Sequence, residues 1–312
     1  MKKKSKIALK EQRAAYLFLI PAFLGLSLIT YLPVVAAFGI GFTDLKLGHF
    51  VVGGPLYGQT KFIGLQNFID IFTNPNIDFL NSIRVTVYYA VLAVVGSIVY
   101  SMFVAVLLNR KIPARGFFRA IFYIPYILPS TAVIIGWGFL QEKQPEGLIN
   151  FVIGRLGLEK IAFLSDARFV VPALALIAVW TSGNLIVIFL AGLQNVPRVY
   201  HEAAEIDGAN AWQRFWGITM PCMTPIIFYN LLMSLVTSLQ VVVPALARTK
   251  GGPGTSSRFM AYQMYRTGFI DGDFGRAGAI AFVFFIVAAI LAFVLFATSK
   301  KWIFYEGGDD KG

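Results

Sequence analysis

Residues 201–212, His-Glu-Ala-Ala-Glu-Ile-Asp-Gly-Ala-Asn-Ala-Trp, hold the most specific arrangement of functional side chains in this sequence. The stretch reads as a short helix with two adjacent alanines, Ala203 and Ala204, ended at Asp207-Gly208, where glycine can take the left-handed conformation that closes a helix. Paired alanines let a helix lie close against another surface, and Glu202, Glu205 and Asp207 offer anionic groups to a basic partner. A second short helix is expected to lead on through Ala209 and Trp212 toward Phe215. Such a knob suits transmission of force better than covalent chemistry, with an ordinary amphipathic interfacial loop as the alternative on these residues alone. Catalytic groups are scarce elsewhere. His49 and His201 are the only histidines, too few for a histidine metal site, and Cys222 is the only cysteine, which rules out an intramolecular disulfide and a cysteine metal cluster.

The elements that must hold this segment are apolar. Hydrophobic residues make up 57% of the 312-residue chain and charged residues 14%, with a mean hydropathy of +0.69; a water-soluble surface cannot be built from that composition. Six stretches contain no Asp, Glu, Lys or Arg: 14–43, 85–109, 120–141, 169–197, 215–247 and 277–299. About 20 apolar residues cross a hydrocarbon core of about 30 Å, and a charge at mid-depth costs about 2.5–3.5 kcal/mol on insertion scales. Backbone groups in lipid must bond within their own segment, so runs of this length mean helices, whereas a membrane barrel would show short alternating strands. The expected fold class is an all-α membrane protein with about six transmembrane helices.

Lys2, Lys3, Lys4, Lys6, Lys10 and Arg13 precede the first stretch, as in a signal peptide, but the apolar run is too long and no small-residue cleavage pattern closes it. It reads as an uncleaved first span with a cytoplasmic N-terminus, and six spans return the C-terminus to the same side. On that orientation Lys and Arg are about twice as dense in the segments placed inside (1–13, 110–119, 198–214, 300–312) as in those placed outside (44–84, 142–168, 248–276). One membrane domain is expected: a cytoplasmic segment 1–13, a transmembrane region 14–299 containing the loop 198–221, and a cytoplasmic tail 300–312. The net charge of +11 is read as Lys and Arg contacting lipid headgroups, not nucleic acid. Trp212, Phe215, Trp216, Trp302 and Tyr305 fall near span ends, where aromatic rings favour the headgroup layer. A folded loop is expected over 44–84 and a short surface helix over 147–164. Pro21 and Pro33 fall in the first span, Pro125 and Pro129 in the third, Pro172 in the fourth, and Pro221, Pro225 and Pro244 in the fifth. Each can kink its helix, and their number favours bent helices around a water-lined cavity over tolerated irregularities.

The spacing Glu202-Ala203-Ala204, three residues to Gly208, then Ile218 and Pro221, resembles the cytoplasmic EAA loop of binding-protein-dependent ABC importer permeases; Met220 departs from the usual leucine by a swap that conserves volume. The resemblance covers nearly the whole chain and narrows to permeases for sugars and related polyols, the lactose- and glycerol-3-phosphate-type subunits above all. Phe118-Arg119-Ala120-Ile121-Phe122-Tyr123-Ile124-Pro125 with Pro129 and Trp137, Gly147-Leu148-Ile149-Asn150, Gly64-Leu65-Gln66-Asn67-Phe68, and Gly251-Gly252-Pro253 followed by Thr255, Tyr262, Tyr265 and Phe269 occur in the expected order.

The resemblance implies a non-catalytic transport subunit in a bacterial or archaeal cytoplasmic membrane. Its partners would be a second, homologous permease, two ATPase subunits, an extracytoplasmic solute-binding protein, a sugar and membrane lipid. ATP and magnesium would belong to the ATPase, since the chain has no G-x-x-x-x-G-K-[ST] phosphate loop. Glu202, Ala203, Ala204, Glu205, Asp207, Gly208 and Ala209 would couple to that ATPase. Sugars are held by hydroxyl hydrogen bonds and aromatic faces, which makes Asn184, Tyr229, Asn230, Ser234, Thr237 and Gln240 the pathway candidates, with helix-to-helix hydrogen bonding as the alternative for each. A permease for a non-sugar solute such as glycerol phosphate is the nearest competing function. An ion-coupled secondary transporter or an intramembrane enzyme would require ionisable clusters within the spans, and the six stretches have none.

Overall fold

The computed structural model describes residues 6–143 and 147–304, with side chains from Ala14 onward. The basic side chains before Ala14, Tyr305 and the rest of the C-terminal tail lie outside the described residues. In chain order the helices are α1 (Lys6–Leu26), α2 (Leu32–Ile40), α3 (Gln66–Thr73), α4 (Phe79–Asn109), α5 (Arg115–Ile127), α6 (Ser130–Leu140), α7 (Leu148–Arg155), α8 (Val170–Trp180), α9 (Gly183–Asn195), α10 (Arg198–Ile206), α11 (Ala211–Arg214), α12 (Met220–Leu239), α13 (Met260–Tyr265) and α14 (Phe274–Ser299). Four continuous helical stretches are long and apolar enough to cross a membrane: Ala14–Ile40, Phe79–Asn109, Ala211–Leu239 and Phe274–Ser299. The pairs α5–α6, bent by 101°, and α8–α9, bent by 49°, bring the number to six if each is one broken span. The described residues contain no β-strand beyond two isolated bridges.

The chain divides into two compact units. One comprises the residues up to Asn74 with Met264–Val283. Here a wide π-turn, Ser27–Tyr31, joins α1 to α2, and Pro33 follows in the first turn of α2, where a missing N–H costs little. The segment after α2 is folded, as expected for 44–84. Asn67 is buried and donates to the carbonyls of Gly41 (2.9 Å) and Thr43 (2.7 Å), while Arg276 pairs with Asp70 (3.1 Å) and Asp273 (3.4 Å). Phe282 contacts the rings of Phe38, Phe42 and Phe68. A Cβ added to Gly278 would lie 2.7 Å from the Gly41 nitrogen, so this crossing of α14 with the end of α2 depends on glycine.

The other unit, Pro75–Gln263 together with the chain from Phe284 onward, is organised around α4, which packs against α8, α9 and α12. Two apolar clusters stabilise it. Tyr89, Val133, Leu174, Ile177, Phe259 and Tyr262 belong to the first, and Met102, Leu108, Ile186, Phe189, Leu193 and Met223 to the second. Between them α8 breaks from α9. Thr181 donates to the carbonyls of Ile177 and Ala178 (both 3.1 Å) and Ser182 to that of Val179 (2.7 Å), satisfying carbonyls at the end of α8, while Ser101 of α4 meets the Ser182 hydroxyl at 2.9 Å. The bend of the fourth span therefore comes from these hydroxyls, while Gly183, which follows them, leaves room for the Phe122 carbonyl of α5 where a Cβ would clash. Pro172, expected to kink it, sits in the first turn of α8, where proline is tolerated. The α5–α6 break does follow its proline: Pro129 caps α6 and forces Leu128 to be extended. A further correction concerns the fifth span. Helix α12 ends at Leu239, so Gln240 is its C-cap and Pro244 lies beyond it, ahead of another π-turn at Ala245–Thr249.

The surface helix expected over 147–164 is confined to α7, and its Asn150 explains how the following loop is fixed. This fully buried amide donates to the carbonyls of Gln141 (3.3 Å), Glu142 (2.9 Å) and Ile161 (3.0 Å) and accepts from the Ile161 N–H (2.9 Å). Replacing it by leucine strands these backbone groups, so Asn150→Leu is expected to cost about 3 kcal/mol and to expose the 156–168 segment to limited proteolysis before the spans unfold. Farther along the loop, hydrogen bonds from the Arg168 side chain and then its backbone N–H lower the half-buried Asp166 to about 2, so that carboxylate stays ionised at neutral pH.

Candidate functional site

Helix α10 begins after Pro197 and none of its residues is buried. The apolar side chains on it, Val199 and above all Ile206 at 87% exposed, lie largely uncovered by the described residues, and Trp212 follows at 69%. The segment is nevertheless sharply built. Gly208 is left-handed (φ +81°), the Ala209 N–H reaches back to the Ala204 carbonyl (2.8 Å) and the Gly208 N–H to that of Glu205 (3.0 Å), the double bond expected of a glycine-closed helix. Asn210 then opens α11 with a reciprocal cap: its side chain accepts from the Gln213 N–H (2.9 Å), and its own N–H donates to the Gln213 side chain (2.8 Å). An ion pair between Arg214 and Glu205 ties the two short helices together. A π-turn, Phe215–Thr219, carries the chain without interruption into α12. Glu202, Ala203, Glu205, Asp207 and Gly208 are exposed, with Ala204 and Ala209 half-buried. The result is a rigid, solvent-facing knob at one end of a long span.

A second feature lies within the spans. A cavity of about 440 Å³ is bounded by α4, α5, α6, α8 and the end of α12, and a neighbouring one of about 230 Å³ lies at the α8–α9 bend. Both are lined by Tyr89, Tyr126, Ala178, Thr181 and Thr237. The smaller adds Ser97, Ser182, Ser234 and Ser238, and the larger adds Ser130 and Gln240 over an aliphatic floor. No charged residue lines either. Hydroxyls, an amide and two tyrosine rings on apolar walls can bind an uncharged polar solute.

Of the six pathway candidates read from sequence, Ser234, Thr237 and Gln240 face these cavities. Asn184, Tyr229 and Asn230 are not among the lining residues; buried Asn230 bonds its own helix, donating to the Ile226 carbonyl (2.9 Å). Sequence reasoning missed Tyr89, Tyr126 and Thr181. Tyr126 stands between Pro125 and Pro129, and Thr181 adjoins Ser182-Gly183, so polar residues beside helix breaks were the available signal. Tyr89, inside an unbroken span, carried none. Among the described residues no group of His, Cys, Asp and Glu could hold a metal ion.

The family model of the binding-protein-dependent transport system inner membrane component matches residues 97–303. The chain belongs to this family and is a multi-pass membrane permease of the ABC transporter class. It is 33% identical to YesP of Bacillus subtilis, named a probable ABC transporter permease protein, over 99% of this chain and 97% of that one. It is 32% identical to the sulfoquinovosyl glycerol transport system permease protein SmoG of Agrobacterium fabrum (90% and 88% covered), and 29% identical to the trehalose/maltose transport system permease protein MalF of Thermococcus litoralis (93% and 94% covered). A chain of a bacterial ABC transporter involved in import of the acidic polysaccharide alginate shares the fold, with a TM-score of 0.76 at 20% identity over 94% of this chain and 97% of that one.

Proposed function

We propose that this permease imports a sugar or oligosaccharide, forming half of a translocation pathway with a second, homologous permease and taking its energy from two ATPase subunits. The observation that carries the proposal is the pairing of an uncharged, hydroxyl-rich cavity at the helix breaks with an exposed, doubly capped knob at the end of α12. The similarity to permeases named for trehalose/maltose and sulfoquinovosyl glycerol transport supports the solute class. In this reading Glu202–Ala209 lies on the cytoplasmic side with both termini, Ala203 and Ala204 admit close contact, and Val199, Ile206 and Trp212 become buried against the ATPase. Closure of the ATPase pair moves α10 and α11 as one body, because the Arg214–Glu205 pair and the caps leave them little independent freedom, and the continuous π-turn passes that movement to α12. Since Ser234, Thr237 and Gln240 lie along and at the far end of the same helix, movement at one end alters the cavity wall at the other. A delivering solute-binding protein acts on the opposite face of the membrane, and ATP and magnesium are held by the ATPase.

The test is ATP hydrolysis by the complex purified through this chain and reconstituted with its binding protein. A neutral saccharide is expected to stimulate hydrolysis several-fold, and uptake should stop when the ATPase is removed. Uptake that follows an ion gradient instead would refute the assignment.

A further inference from the structure

We propose a second binding site in this chain, for a phosphate-bearing anion, at the root of the exposed knob. A pocket of about 230 Å³, separate from the two cavities in the spans, is lined by Asn109 and Arg110 at the end of α4, His201 on α10 and Thr219 in the π-turn before α12, with Val106, Leu193 and Phe215 as its apolar wall. Every polar residue in that lining can donate a hydrogen bond, and none is acidic. Asn109 accepts from Arg115 Nη2 through its Oδ1 (3.4 Å), which leaves its amide NH₂ available as a donor. The side chains of Arg110, His201 and Thr219 form no hydrogen bond or ion pair with another described group.

The surroundings remove what would repel an anion. The C-terminal end of a helix is its negative pole, but the Leu108 carbonyl at the end of α4 accepts from the Arg115 guanidinium, which adds positive charge there. Glu205, one turn beyond His201 on the same helix, is occupied by Arg214. Between Asp78 and Glu142 the chain has no acidic residue at all, while Arg110, Lys111, Arg115 and Arg119 cluster at the junction of α4 and α5. Guanidinium, imidazole, amide and hydroxyl donors converging on one small pocket match a tetrahedral oxyanion, and arginine suits it best because its planar fork can bind two oxygens at once. Asn109 is also the last residue of a helix long and apolar enough to cross a membrane, so the pocket sits at the polar end of that helix, within reach of either an anionic lipid or a soluble phosphate. A bound anion ties the knob to the ends of α4 and α9, the part of the permease that has to move if the proposed coupling holds. The site itself stands whether or not α10 is the docking element.

The test measures carbethoxylation of His201, followed by peptide mass spectrometry on the intact complex in nanodiscs. One arm compares phosphatidylcholine discs with discs that also contain phosphatidylglycerol. The other keeps phosphatidylcholine alone and adds inorganic phosphate or glycerol 1-phosphate. Modification of His201 is expected to slow about tenfold in one arm, assigning the phosphate to the lipid or to the soluble source. Arg110→Gln, an exposed position whose change leaves the apolar clusters intact, should abolish the protection, and Thr219→Val should weaken it. An unchanged rate in both arms overturns the site. So does protection that survives both substitutions, since the anion would then be acting elsewhere.

Discussion

Cells carrying Gly208→Val are expected to insert the permease at normal levels and to lose most solute uptake, about tenfold or more, together with co-purification of the ATPase subunit. The reasoning is conformational. An added Cβ at Gly208 meets nothing within 4 Å, so it strikes no packing among the described residues. The residue is held at φ +81°, however, a region that costs a non-glycine residue about 1–2 kcal/mol and a β-branched one more. Valine relieves that strain by opening the turn, which breaks the bond from the Ala209 N–H to the Ala204 carbonyl and separates α10 from α11. The two helices then no longer present one surface, and a docking interaction weakened by about 1.4 kcal/mol is already tenfold weaker. Asparagine tolerates the left-handed region, so Gly208→Asn should retain most activity. That contrast separates backbone conformation from side-chain bulk. Glu202→Lys, which reverses a charge on the same exposed surface without touching the turn, should also impair ATPase attachment. Wild-type transport by both Gly208→Val and Glu202→Lys would remove the knob from the coupling mechanism.

The knob is legible from residues 201–212 because its geometry is local. A helix closed at Gly208 is fixed by neighbours within a few positions and appears in the structure where the spacing places it, whereas the Asn210–Gln213 cap that opens the second short helix is equally local and went unread. The six apolar stretches are equally plain, because a charge at membrane depth is costly enough to leave a gap in the sequence. The bends are harder to read, since proline marks only some of them. Pro129 does mark the sharpest break, but the 49° bend between α8 and α9 rests on Thr181 and Ser182 donating backward into the last turn, and on Ser101, 81 positions earlier, meeting Ser182. Such a contact has no trace in local pattern. The pathway residues follow the same division. Ser234 and Thr237 stand out as polar groups on one face of a helix, whereas Tyr89 belongs to the cavity only because α4 lies against α8, which depends on tertiary packing.

Thr237 gives the sharpest test of where solute passes, because it lines both cavities in the spans. Phenylalanine at this position projects a ring into space that a sugar would have to occupy, and Thr237→Phe is expected to reduce uptake about tenfold or more while the ATPase stays attached and basal ATP hydrolysis continues. Thr237→Val keeps the size and removes only the hydroxyl. That hydroxyl already donates to the carbonyls of Met233 and Ser234 (both 3.0 Å), so it serves a solute as an acceptor. Its loss removes one hydrogen bond, about 1 kcal/mol, or roughly a fivefold reduction in uptake at low solute concentration. The pair of variants thus distinguishes blockage from lost recognition, and retained ATPase attachment distinguishes both from a damaged knob. If Thr237→Phe transports at the wild-type rate, the two cavities of this chain are a structural by-product of the helix breaks, and the solute runs along the partner permease alone.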